Sequence, residues 1–176
     1  MADRKYASDY RLETFVNARG KPEQRRIYQG PDFVFCYPAR IRRFAYTVLG
    51  VAIGVLLLLL PMFLSDTMIT RTIYVLLPVA LTLLPVYWLL AVARRLFLTK
   101  EPFTREHRDK TQRRLRRASI TLTVLLAVAF AGALAYTFLV GVQPGEPVSI
   151  ACIAVALAAS VYLLPQCKLA QAKEKA

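Results

Sequence analysis

The residues able to carry out acid–base chemistry cluster in one short polar stretch of this 176-residue chain. The single histidine, His107, lies there with Glu101, Glu106 and Asp109 close to it in sequence. An imidazole beside a carboxylate can transfer a proton near neutral pH, so an enzyme acting on lipid is one hypothesis. The chain lacks P-loop glycines and the motifs G-x-S-x-G, H-E-x-x-H and C-x-x-C. We therefore nominate no catalytic residue and regard a non-catalytic protein as the better hypothesis.

The composition combines 56% hydrophobic residues with a formal net charge of +13. A soluble domain this apolar would expose large adhesive patches, and one this basic would commonly bind nucleic acid. Both properties are explained together if the apolar side chains face lipid and the charges lie at its edges. We therefore expect a membrane protein with the bilayer as its partner and no nucleic acid.

Four stretches without a formal charge, beginning at Phe44, Thr72, Ala118 and Pro147, are long enough to cross a bilayer. A spanning helix needs about 20 apolar residues. The predicted fold is an all-α membrane protein, a four-transmembrane-helix bundle, preceded by a small N-terminal β-hairpin or meander. The predicted segments are an N-terminal segment 1–43, a membrane domain 44–167 with spans of about 44–65, 72–95, 118–140 and 147–167, and a tail 168–176.

The basic residues fix the expected orientation. Of the 24 lysines and arginines, every one except Arg71 falls before the first span, between spans two and three, or in the tail. Positively charged loops stay in the cytoplasm, so both termini are predicted to be cytoplasmic in a multi-pass protein of the plasma membrane. A location in the endoplasmic reticulum would give the same pattern.

Ten of these basic residues lie next to the predicted spans and form what we call the basic collar. Each charge near an anionic leaflet is attracted by about 1 kcal/mol, so the collar is predicted to contact anionic lipid head groups. The alternative is that these residues only set the topology. The basic collar comprises Arg40, Arg42, Arg43, Arg94, Arg95, Arg113, Arg114, Arg116, Arg117 and Lys168.

The N-terminal segment contains β-rich runs separated by turn residues, which predicts two or three short strands. So few strands are marginally stable alone, and a disordered arm is the alternative. Thr104 can cap a helix that continues into span three, so residues 104–117 are predicted to be a cytoplasmic helical extension. Its first turns hold almost no apolar residue except Leu115 and are expected to be solvated. We nevertheless expect the strands to dock on this extension, which would cover Phe15, Val16, Ile27, Phe33 and Phe35.

Two features inside the spans have competing interpretations. Pro78 and Pro85 of span two each free one main-chain carbonyl, which predicts a kink or, alternatively, a cation or substrate site. Small residues four apart allow close helix approach, either inside the bundle or in a homodimer. These predicted packing residues are Gly50, Gly54, Ala127, Ala131, Ala135, Ala154 and Ala158, with a further pair at Ala156 and Ser160.

Three functional hypotheses follow from these patterns. The first is a non-catalytic subunit or scaffold that assembles with another membrane protein or with itself, because the spans carry no ionisable group. The second is a small transporter or channel for an apolar or lipid-like solute, based on the proline pair. The third is the lipid-modifying enzyme. Three cysteines do not make a disulfide framework, and no cofactor or metal is expected.

Overall fold

The structure is a computed structural model, and it describes residues 4–16, 22–36, 38–64, 72–99, 102–141, 145–170 and 172–174. Most of this part of the chain is helical. The helices are α1 (Pro38–Leu64), α2 (Ile73–Leu81), α3 (Leu83–Leu98), α4 (Arg105–Val140) and α5 (Glu146–Gln166). The strands are β1 (Tyr10–Val16), β2 (Pro22–Tyr28), β3 (Phe33–Phe35) and β4 (Ala172–Glu174), with 3₁₀ turns at Arg4–Asp9 and Cys167–Ala170.

Four helical segments are long and apolar enough to cross a membrane, which confirms this part of the predicted fold class. They are Arg40–Met62, Ile73–Leu98, Arg105–Val140 and Glu146–Gln166. The second combines α2 and α3. The third includes the predicted extension, since α4 begins at Arg105 and the Thr104 hydroxyl accepts a hydrogen bond from the His107 main chain.

The four segments pack as a ring in sequence order. Helix α1 contacts α3 and α5, while α4 contacts α2, α3 and α5. Each helix buries one face, and the core consists of side chains such as Val48, Leu89, Leu122 and Ile153. Large apolar residues also cover the outside of the ring, including Leu57, Leu84 and Val128. A surface of this kind suits a lipid solvent, in which apolar side chains need no burial inside the protein.

The second apolar segment is interrupted at Thr82, which is buried between α2 and α3. Pro85 lacks the amide hydrogen that would bond the Leu81 carbonyl, so the helical ladder cannot continue normally there. The Thr82 hydroxyl donates to the Val79 carbonyl at 2.6 Å. The Thr82 hydroxyl therefore bonds a neighbouring carbonyl of α2 and neither of the carbonyls of Tyr74 and Leu81 that the two prolines free.

The strands β1 and β2 form an antiparallel hairpin, in which Tyr10 pairs with Tyr28 and Val16 with Pro22. The rings of Tyr10 and Tyr28 pack edge to face with centroids 5.4 Å apart. Gly30 lies two residues after Tyr28, and a Cβ atom there would lie only 2.7 Å from the Tyr28 hydroxyl oxygen. The chain can pass beneath this ring because residue 30 has no side chain.

The third strand does not extend the hairpin into a meander. β3 instead pairs antiparallel with β4 near the C-terminus, with Phe33 opposite Glu174 and Phe35 opposite Ala172. Phe33 also exchanges two main-chain hydrogen bonds with Phe103 on the connection before α4. β3 therefore joins three distant parts of the chain. One partner, β4, lies in the segment that was predicted only as a tail. Its Ala-Lys-Glu sequence has no strong strand pattern, so the strand depends on pairing with β3.

The strands β1 to β4 and the first turns of α4 together form what we call the polar cap. The Tyr6 hydroxyl donates to Asp109 Oδ2 at 3.1 Å, and the Tyr10 hydroxyl donates to Glu106 Oε2 at 3.2 Å. The Arg105 amide donates to the Tyr28 hydroxyl at 3.1 Å. These contacts place the hairpin against the start of α4, where docking was expected, and Phe33 and Phe35 are buried, but Phe15 stays exposed, contrary to the expectation. The first turns of α4 are accordingly half-buried rather than solvated, and Thr111 is buried.

Candidate functional site

The most distinctive concave feature lies where α4 and the end of α5 leave the apolar ring. It is a cavity of about 700 Å³. Arg113 and Arg116 contribute from α4, and Lys168 contributes from the 3₁₀ turn that follows α5. These three belong to the basic collar, so the tertiary structure groups collar residues that are far apart in sequence. The remaining lining residues are Gln112, Ile120, Leu164 and Cys167.

The lining changes from charged to apolar along the helix axis. Gln112, Arg116 and Ile120 follow one another at i,i+4, so they form one row on α4 that rises about 12 Å from end to end. Because α5 runs antiparallel to α4, the opposite wall shows the same order from the charged end inward: Lys168 comes first, followed by Cys167 and Leu164. The cavity therefore has a cationic mouth and an apolar inner wall, a combination that suits an amphiphilic anion.

A smaller cavity of about 320 Å³ lies at the start of α1. Its lining combines Arg40, Arg43, Phe44 and Thr47 with Gln166 of α5. The Thr47 hydroxyl donates to the Arg43 carbonyl, so it is already engaged. This second cavity has the same chemical character as the first but brings together fewer basic side chains.

The other basic-collar residues do not line these two cavities. Arg42, Arg94, Arg114 and Arg117 are exposed on the helix surfaces. Arg95 is half-buried, and its charge lies close enough to His107 to lower the pKa of that imidazole. The exposed members of the collar therefore include some that line a cavity and some that do not, at similar positions along the helices.

His107 occupies a small packed site within the polar cap. Its Nε2 atom lies 2.7 Å from the Thr99 hydroxyl, which itself donates to the Arg95 carbonyl at 2.6 Å. The single hydroxyl hydrogen is thus used, so Nε2 must be the donor. The Phe103 ring packs edge to face against the imidazole at 5.7 Å. Burial first, and then the charge of Arg95, lower the pKa of His107 below its ordinary value.

The carboxylates near His107 in sequence are used elsewhere. Glu106 accepts from Lys110 and from the Tyr10 hydroxyl, and the hydrogen bond from Lys110 is the main reason why the Glu106 pKa is lowered. Asp109 accepts from Tyr6 and Arg108 and lies 3.9 Å from Arg113. Glu101 lies outside the described residues. Within residues 102–141, the acidic side chains therefore hold the polar cap together.

The proline pair lies inside the ring rather than on its surface, since Pro78 and Pro85 are both buried. Several buried hydroxyls of the spanning segments bond to their own helices, although the buried Thr111 hydroxyl has no hydrogen-bond partner among the described residues. Ser119 donates to the Leu115 carbonyl at 2.9 Å, and Ser160 donates to the Leu157 carbonyl at 2.8 Å. With Thr82, three buried hydroxyls thus have local acceptors and do not converge on a common point.

The predicted small-residue faces mostly point outward. Ala127, Ala131 and Ala135 are exposed on α4. Gly50 is exposed and Gly54 half-exposed, and a Cβ atom at either would meet nothing within 4 Å. Ala154 is half-buried and Ala158 exposed, whereas Ala156 and Ser160 are buried in the ring. The close helix contact is instead made at Gly132, which the spacing argument did not select.

Comparison with protein-family models, curated proteins and solved structures found no match to this chain. The proposals for function therefore depend on the geometry described above. Among the described residues, no group of three His, Cys, Asp or Glu side chains is placed to hold a metal ion.

Sequence reasoning identified the cationic residues of the larger cavity but missed its other walls. The row of Gln112, Arg116 and Ile120 is visible in the sequence once a helix is assumed. Its pairing with Leu164 and Cys167 depends on the register between α4 and α5, for which the sequence carries no local signal. The tyrosines that dock the hairpin, Tyr6 and Tyr10, were missed for the same reason.

Proposed function

We propose that this protein is a multi-pass membrane protein that works by assembly and not by catalysis. It acts as a scaffold or subunit that binds another membrane protein or a second copy of itself. The observation that carries the proposal is the use of the acidic groups around the single histidine: Glu106 and Asp109 accept hydrogen bonds that hold the polar cap together. A transporter or a lipid-modifying enzyme has less support from this arrangement.

The interior of the ring supports the same proposal. The three hydroxyls of Thr82, Ser119 and Ser160 bond to carbonyls of their own helices. A solute-binding site normally offers a few convergent polar groups within an otherwise apolar cavity. Here these polar groups are separated and satisfied locally, and the two cavities described above lie at the charged end instead.

The exposed faces supply surfaces on which assembly can occur. Ala127, Ala131 and Ala135 form an outward row on α4, flanked by exposed Val124 and Val128. Inside a bilayer, helices associate through close packing of small residues because lipid provides little hydrophobic drive. Faces of this kind are therefore suitable for contact with a neighbouring transmembrane helix.

We further propose that the polar cap lies in the cytoplasm, together with both termini. The asymmetry of the basic residues supports this orientation, since only Arg71 lies in the two connections at the other end. In this orientation the larger cavity opens toward the cytoplasmic head groups. The membrane is then the plasma membrane or one equivalent to it in topology.

The proposal is tested with a photo-crosslinking amino acid placed at Ala131, with Ala129 as the matched buried control on the same helix. In native membranes, position 131 should crosslink to a protein or to a second copy, whereas position 129 should crosslink only within the chain. The proposal is wrong if position 131 captures lipid alone and the purified chain turns over a lipid or moves a solute. Loss of that activity in His107→Ala or Pro85→Ala would then identify the site responsible.

A further inference from the structure

We infer that the larger cavity is a specific binding site for one phospholipid with an anionic head group. The phosphate would lie among Arg113, Arg116 and Lys168, and an acyl chain would lie along Ile120 and Leu164. The inference rests on the proposed membrane placement, but it goes further than general attraction to a charged surface, because it selects three of the ten basic-collar residues.

The charge at the cavity mouth supports an anionic ligand. Arg113 and Arg116 lie three residues apart on α4 and therefore project from the same side of the helix, while Lys168 faces them from the end of α5. The seven lining residues include no carboxylate. Asp109 is an acidic neighbour of this lining, and its Oδ2 atom lies 3.9 Å from Arg113 Nη2. This distance leaves the arginine able to bind a second anion.

The apolar wall distinguishes a lipid from a free anion. Ile120 is exposed although it lies one turn inside the charged residues, and Leu164 is half-buried on the facing wall. A site for inorganic phosphate or a soluble phosphate ester would need only the polar mouth. The volume of about 700 Å³ also exceeds what a phosphate group alone requires and falls within the range of sites for larger ligands.

Arg114 and Arg117 provide an internal control for this site. They occupy the same turns of α4, carry the same charge and are exposed like Arg113 and Arg116, but they do not line the cavity. A diffuse electrostatic attraction would depend on both arginine pairs equally, since the pairs lie at nearly the same depth. Lipid binding at a specific site in the cavity would depend on the cavity-lining pair, Arg113 and Arg116.

The test is native mass spectrometry of the full chain in mild detergent, titrated with phosphatidylglycerol and, in parallel, with phosphatidylcholine. The wild-type chain should retain one phosphatidylglycerol in preference to phosphatidylcholine. Arg113→Gln with Arg116→Gln should weaken this binding roughly 30-fold, since each cation contributes about 1 kcal/mol and 1.4 kcal/mol is a factor of ten. Arg114→Gln with Arg117→Gln should change it less than about three-fold, because water and salt screen an exposed charge that does not contact the bound lipid. Lys168→Gln, on the opposite wall, should weaken it as well.

Equal losses in the two arginine pairs, or equal retention of phosphatidylcholine, would overturn the inference. A third titration uses inorganic phosphate, and binding comparable to that of phosphatidylglycerol would show a site for a free anion and would also overturn it. Partner crosslinking at Ala131 is measured separately. If the chain shows no lipid selectivity but crosslinks to a partner, only the lipid site is refuted. If it selects the anionic lipid but does not crosslink to a partner, only the assembly proposal is refuted.

Discussion

The main-chain carbonyl of Tyr74 faces Gly132 across the contact between α2 and α4. A Cβ atom added at Gly132 would lie 3.3 Å from that carbonyl oxygen and 3.3 Å from the Val75 side chain. This carbonyl accepts no helical hydrogen bond from residue 78, because Pro78 has no amide hydrogen to donate to the residue four positions earlier. The freed carbonyl is therefore placed against the one interior glycine of α4.

Enlarging residue 132 should loosen this contact. Gly132→Leu is expected to destabilise the protein by about 1–3 kcal/mol, because the neighbouring atoms include main chain that cannot rotate away. Gly50→Leu is the matched control, since a side chain there meets open space. Thermal unfolding in detergent measures both variants. Equal stability of the two would show that the Gly132 contact does not constrain the bundle.

Docking of the polar cap should depend on Phe35 and not on Phe15. Phe35 is 6% exposed and packs on the Phe103 ring at 4.7 Å, whereas Phe15 is 46% exposed. Phe35→Asp buries a charge without a partner and should release the strands, while Phe15→Asp should have little effect. Phe35 is preferred to Phe33, because Arg108 lies over the Phe33 ring and would pair with a new carboxylate.

Limited proteolysis of the purified full chain measures this release. The wild-type chain and Phe15→Asp should resist cleavage between residues 22 and 36, and Phe35→Asp should be cut there rapidly. If the wild-type chain is cut as fast as Phe35→Asp, the cap needs a partner protein to stay docked.

The stability of the polar cap should fall in mild acid because of His107. Its pKa in the folded chain is below the ordinary 6.5, so the unfolded chain takes up a proton first as the pH decreases. Stability is therefore unchanged well above pH 6.5 and declines as the pH drops through that value toward the folded pKa. His107→Gln keeps a side-chain amide donor for Thr99 and should remove this dependence.

Thermal unfolding across this pH range checks the His107 prediction. Glu106 contributes a separate effect: its lowered pKa means that its stabilisation is lost only as the pH falls below about 4.5. A decline near pH 6 that persists in His107→Gln would assign the effect to another group.

The orientation of the chain can be measured by cysteine labelling in a background without Cys36, Cys152 and Cys167. Asp66→Cys and Gln143→Cys should react with an impermeant reagent from outside the cell, and Arg114→Cys should not. Glu146, although it borders the same connection, is a poor position because it is only 1% exposed. The reverse labelling pattern would place the polar cap on the outer side.

The apolar helices could be predicted from the sequence because each depends on a local property. A long uncharged run such as that after Phe44 must avoid water, and a helix satisfies its own main-chain hydrogen bonds in lipid. The start of α4 at Arg105 was likewise indicated by the adjacent Thr104 cap. The β-rich runs of the N-terminal segment indicated β1 and β2 for the same reason, since a strand pattern can be recognised over a few residues.

Only the tertiary structure decided which segments meet. β3 pairs with β4 and Phe103, and Arg116 shares a cavity with Lys168, although these residues are distant in sequence. The outward direction of Ala131 and the inward direction of Gly132 were equally undetermined. The spacing of small residues indicates that another helix can approach closely. Which face of the helix is approached depends on how the four spanning segments rotate to bury their best-fitting faces together.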